Sequence, residues 1–185
     1  TYKTIYNESF DSAYDYEWAQ QRYHWIGHFT IKDESMVKVF IHKMDMASWL
    51  KQLFAHGIKQ DEFPPADEDE PIYNIDFTRD SSIELTGRGD QMAIFATIIK
   101  MITEFFNTVK PTQIVFGAEK SNAGIVGSRA KLYKRFANLF AKQTGYKSLA
   151  IDGGREAYFY IYSPSIIAEK YTAMQLAVME GGHSL

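Results

Sequence analysis

The chain of 185 residues contains no cysteine, which excludes disulfides, thiolate metal sites and cysteine nucleophiles. Proline is scarce, at five residues, and the twelve glycines follow no repeat, so collagen-like and linker-dominated chains are excluded too. No uninterrupted apolar run reaches the ~18 residues of a membrane span. The first residues lack the basic-then-apolar layout of a secretory leader. There is no P-loop, no nucleophile elbow and no defensible Ser/His/Asp order. What the chain has is bulk: 45% of its residues are hydrophobic, including 13 Phe, 12 Tyr and 3 Trp. That is too much large apolar surface for a disordered chain and enough for one core. The expectation is a single domain over 1–185, cytoplasmic and without a membrane segment.

The net charge of −3 hides an asymmetry. Residues 1–80 carry 15 acidic and 8 basic side chains, whereas residues 81–185 carry 8 acidic and 12 basic. Most of the acid excess sits at Asp61, Glu62, Asp67, Glu68, Asp69 and Glu70 around Pro64 and Pro65, a stretch (60–71) that reads as a solvated loop. The basic excess collects at Lys120, Arg129, Lys131, Lys134, Arg135, Lys142 and Lys147. Such a cluster attracts phosphate-bearing ligands, but Arg129, Lys131, Lys134, Arg135 and Lys142 do not all share one helix face. Nucleic acid therefore ranks last among the partners considered.

Hydrophobic periodicity sets the element order. Residues 1–20 scatter Tyr2, Tyr6, Phe10, Tyr14, Tyr16 and Trp18 without a single period and stay unassigned. Tyr23–Ile31 reads as a strand, Lys32–Ser35 as a turn and Met36–His42 as the partner strand of a hairpin. Asp45 is a good cap for a short helix stopped at Gly57, with Met46, Trp49, Leu50 and Leu53 on its apolar face. Ile72–Thr78 and Ile83–Thr86 read as two further strands. Asp90 caps a long helix to about Val109 that is apolar over much of its circumference, which requires cover from a sheet and neighbours. Gln113–Ala118 is a buried strand. A second long helix runs from Ser128 to Gly145, with an inner stripe expected at Leu132, Phe136, Leu139, Phe140 and Gln143. Two strands at Ser148–Ile151 and Ala157–Tyr162 follow, and Ser163-Pro164 opens a C-terminal helix and tail over 165–185. The class is α+β, a mixed and mostly antiparallel sheet flanked by helices.

From about Ile72 onward this order resembles the GNAT superfamily of acyl-CoA-dependent N-acyltransferases. The pieces that carry the resemblance are SIELT, GRGDQ, the helix from Gln91, QIVFGA, the helix from Ser128 ending at Gly145-Tyr146, and the closing hairpin. The wording of ELTGRGDQMAIFATI, KPTQIVFGAEK and RAKLYKRF also resembles uncharacterised proteins of tailed bacteriophages, which implies host cytoplasm or a virion as the location. The resemblance implies acetyl-CoA or another acyl-CoA as cofactor, with its pyrophosphate on the amides of Thr86, Gly87, Arg88, Gly89, Asp90 and Gln91. Independently of any family, a glycine-containing bend before a helix offers unpaired N–H groups and a positive helix end to an anion, and Arg88 adds a charge-assisted contact. The bend departs from the family pattern in its glycine spacing, and Asp90 places a carboxylate where the phosphates would approach.

Acyl transfer to an amine needs a base for the ammonium proton and an acid for the leaving thiolate. Glu84 is the candidate base and Tyr133 the candidate acid. Tyr133 lies twelve residues before Gly145, and the family-spaced positions hold Phe140 and Ala141, which have no proton to give. The competing expectation is a catalytically inactive protein on the same scaffold, acting as a binder, inhibitor or virion component through a protein partner or a second copy of itself. No metal is expected. His24 and His28 are four apart, a ligand spacing on a helix but not on a strand, while His42 and His56 have no ligand at a recognised spacing.

Overall fold

A computed structural model describes residues 13–55, 69–79, 91–119, 128–152 and 156–164. These carry seven strands of a mixed, mostly antiparallel sheet and three helices, the α+β class that the periodicity predicts. In chain order they are β1 (Glu17–Gln21), β2 (His24–Thr30), β3 (Met36–Met44), α1 (Met46–Ala55), β4 (Ile72–Arg79), α2 (Gln91–Val109), β5 (Gln113–Glu119), α3 (Ser128–Thr144), β6 (Lys147–Asp152) and β7 (Glu156–Tyr162). The strand expected at 83–86, the acidic loop up to residue 68 and the terminal helix from 165 fall outside the described residues. The chain divides into two compact units: Thr1–Lys43 with Tyr73–Pro111, and Met44–Ile72 with Thr112–Leu185.

The first unit holds β1-β2-β3-β4 in that order, together with α2. β2 and β3 alternate polar with apolar residues, so Phe29, Val37, Val39 and Ile41 are buried on one face. Tyr73, Ile75 and Phe77 of β4 are buried as well. α2 supplies the other half of this core through Ile94, Ile98, Met101, Ile102 and Phe105. Trp25, Tyr73 and Phe105 form a triangle of edge-on rings, with centroids 5.0–5.8 Å apart. Gly27 lets α2 approach closely: a methyl group there would collide with Met101 and with the Trp18 ring. Tyr14 stacks on Phe29 at 5.8 Å and donates its backbone N–H to Thr97 Oγ1 at 2.8 Å. By length and composition Met92–Val109 is apolar enough to cross a membrane, but the same residues are the core helix of this unit.

The hairpin of β2 and β3 turns through a three-residue loop. Ile31 N–H donates to Ser35 O at 3.0 Å, Glu34 adopts the left-handed region at φ 66°, and Asp33 accepts from the Ser35 N–H and hydroxyl. This is the three-residue hairpin geometry in which the last loop residue takes positive φ. β1, unassigned from its spacing, pairs antiparallel with β2 from Glu17↔His28 to Gln21↔His24.

The second unit holds β5-β7-β6, with β7 central and antiparallel to both neighbours. α1 covers one face: Met46, Trp49, Leu50 and Leu53 pack with Ile72, Val115, Ile151 and Tyr160. α3 covers the other, its Tyr133 and Phe136 rings lying 5.5 and 5.1 Å from Phe116. Asp45 caps α1 by accepting the Ser48 N–H at 2.8 Å. That hydrogen-bonding to Ser48 holds its carboxyl below the ordinary value. Gly145, at φ 76°, ends α3. The inner stripe of α3 is Ala130, Tyr133, Phe136, Ala137, Phe140 and Ala141. Gln143, expected on that stripe, is exposed, and Leu139 is half-buried. Phe136 and Phe140 are buried as expected, and Ala130, Ala137 and Ala141 with Tyr133 complete the stripe.

Candidate functional site

Of the residues implicated in cofactor binding, Gln91 is the first residue of α2 in the first unit. Glu84, Thr86, Gly87, Arg88, Gly89 and Asp90 lie outside the described residues. Tyr133 belongs to the second unit, where it is 1% exposed within the α3 stripe. Its ring is tilted 38° against Phe116 and meets Phe159 edge-on at 6.4 Å. Phe140 and Ala141 are buried on the same stripe. Tyr133 is thus part of an aromatic cluster that joins α3 to β5 and β7.

Two tyrosine–carboxylate pairs were not anticipated. In the first unit Tyr16, just before β1, donates its hydroxyl to Glu104 Oε2 at 2.5 Å. Lys100, one turn earlier on α2, lies over the Tyr16 ring at 5.5 Å. With Thr103, Asn107 and Thr108 these residues line an open depression of about 330 Å³. Partial burial, followed by the adjacent Glu104 carboxylate, pushes the Tyr16 phenol well above its ordinary value. A phenol held in that state is a hydrogen-bond donor and a poor proton source at neutral pH. Lys100 and Glu104 are the only charged residues of α2, a signal in the sequence that marks this spot.

In the second unit Tyr158 donates to Glu156 Oε2 at 2.5 Å, and burial, then Glu156, raises its phenol likewise. Beside it Tyr160, buried, donates to Gln113 Oε1 at 2.6 Å, and Gln113 Nε2 donates to Glu70 O at 3.3 Å. Trp49, Tyr160 and Tyr162 stack in sequence at 6.1 and 5.1 Å.

Four of the basic residues form one stripe. Lys131, Lys134, Arg135 and Lys142 are all exposed, and at 100° per residue they fall on one side of α3, a helix without a single acidic residue. Among the described residues no three His, Asp or Glu side chains gather as metal ligands. His28 faces Glu17 at 3.6 Å. His24 and His42 are direct cross-strand partners, with ring centroids 5.5 Å apart, and Phe40 lies parallel to His42 at 6.1 Å.

No family model matches the chain, and no curated protein matches it in sequence.

Proposed function

We propose that the protein is a GNAT-like acyl-CoA-dependent N-acyltransferase whose acyl acceptor is an amine. The observation that supports this reading is the run of elements from β4 to β7. A strand is followed by a long helix, a buried strand, a second long helix ending at Gly145-Tyr146, and a closing antiparallel hairpin. This is the order that carries the resemblance from about Ile72 onward, apart from the SIELT strand and the bend after it, which lie outside the described residues. In this reading the amides of Thr86 to Gln91 hold the pyrophosphate of acetyl-CoA or another acyl-CoA at the start of α2. The acceptor nitrogen attacks the thioester carbonyl, Glu84 takes the ammonium proton, the C–S bond breaks, and the leaving thiolate takes a proton from solvent. Calorimetry with acetyl-CoA is the test. Saturable binding that is lost in Gly87→Val and Gly89→Val supports the reading. Absence of both heat and thermal shift at millimolar cofactor overturns it.

One observation favours a second reading, a non-catalytic binding protein on the same scaffold. Tyr133, the candidate acid, is buried in an aromatic cluster, and Phe140 and Ala141 at the family-spaced positions carry no acidic proton. Acyl-CoA binding without turnover of any amine, together with a stable oligomer or a co-purifying phage or host protein, separates this reading from the first.

A further inference from the structure

We propose that His24 and His42 form a two-imidazole binding site for a divalent transition-metal ion of the Cu²⁺, Ni²⁺ or Zn²⁺ class. The backbone sets the pair. Lys43 N–H donates to Tyr23 O at 2.9 Å, which makes Tyr23 and Lys43 a hydrogen-bonded pair. The adjacent pair His24↔His42 is then non-hydrogen-bonded, the kind in which facing side chains come closest.

The ring spacing fits one shared ion. Metal–nitrogen bonds of about 2.0–2.1 Å put each centroid about 3.2 Å from the metal, so a tetrahedral angle separates two centroids by about 5 Å. The observed separation is 5.5 Å, with the ring planes at 62°. Phe40, parallel to His42 at 6.1 Å, restrains that ring. Both histidines are half-buried on the sheet face opposite α2, where solvent can complete the coordination. Gln21, the β1 partner of His24 on the same face, is a further oxygen donor beside the pair by register. His28 lies four residues along β2, about 13 Å away, and is engaged with Glu17, so it stands outside the site. Imidazole suits these metals, and Cu²⁺ should bind tightest.

The test uses the full, untagged chain. Calorimetric titration with CuCl₂ and with ZnCl₂ should give a saturable 1:1 isotherm. It should be lost in His24→Ala and in His42→Ala and retained in the triple variant His28→Ala/His56→Ala/His183→Ala. In the unaltered protein, substoichiometric Cu²⁺ should broaden the ring resonances of His24 and His42 before those of His28, a readout that needs no variant to fold. No saturable heat, an isotherm that survives both single variants, or broadening that begins at another histidine overturns the proposal.

Discussion

The two units solve the same problem differently. In the first, β1–β4 present one face to α2 and leave the other without a helix of that unit among the described residues. In the second, β5-β7-β6 is covered by α1 on one face and α3 on the other. The difference is written in the strands: β3 alternates, with Val37, Val39 and Ile41 buried between half-buried or exposed neighbours, whereas Phe159, Tyr160 and Ile161 of β7 are buried in succession. A one-sided sheet needs a period of two, and a two-sided one needs a continuous apolar run. The first unit therefore has a face free for polar chemistry, where the histidines sit. The second spends both faces on stability.

This contrast can be broken by mutation. Phe116→Ala, at a fully buried position between α3 and the sheet, should cost about 3–5 kcal/mol. Phe40→Ala on the open face of the first unit should cost about 1 kcal/mol or less; urea denaturation of both variants measures the gap. Equal losses would mean that the open face is covered after all.

Gln113→Ala should cost about 2–3 kcal/mol, because it strips the acceptor from the buried Tyr160 hydroxyl and the donor to Glu70 O. Tyr160→Phe/Gln113→Leu should recover part of that loss, as thermal melts of the single and double variants would reveal. Gly27→Ala should cost about 1–2 kcal/mol by forcing Met101 and Trp18 aside. Met101→Ala in the same chain should relieve the Met101 part of the clash and leave that with the Trp18 ring, which a double-mutant cycle reads directly.

The smallest effect concerns pH. Asp45 is held below its ordinary value of 3.8 by Ser48, so its cap contributes in full above that value and is lost as pH falls through the lowered one. Asp45→Ala should therefore melt below the wild type at neutral pH, and the difference should close in acid. A difference independent of pH would remove the carboxylate from the account.

Most helices and strands could be read from the sequence because caps and periods agreed: Asp45 before α1, Gly145 after α3, and the alternation of β3. β1 was not legible. Its residues are almost all exposed, so no apolar period marks it, and pairing with β2 defines it. The His24–His42 pair was hidden by one residue of loop. A four-residue turn over Lys32–Ser35 would pair Ile31 with Met36 and set His24 opposite Lys43. Glu34 in the left-handed region shortens the loop and brings the histidines together. The candidate acyl-CoA bend, up to Asp90, lies outside the described residues. The surroundings of Tyr133 were not legible, because the alanines buried beside it on α3 carry little weight in a hydrophobic pattern.

Gly145 offers a final lesson. Its φ is 76°, yet a side chain built there would meet nothing within 4 Å. The constraint at the end of α3 is therefore one of chirality alone, since the space is empty. A mirror-image alanine installed by chemical ligation should fit without strain and stiffen the unfolded chain, raising stability by about 0.5–1 kcal/mol. Ordinary L-alanine at the same atom count should lower it by about 1 kcal/mol.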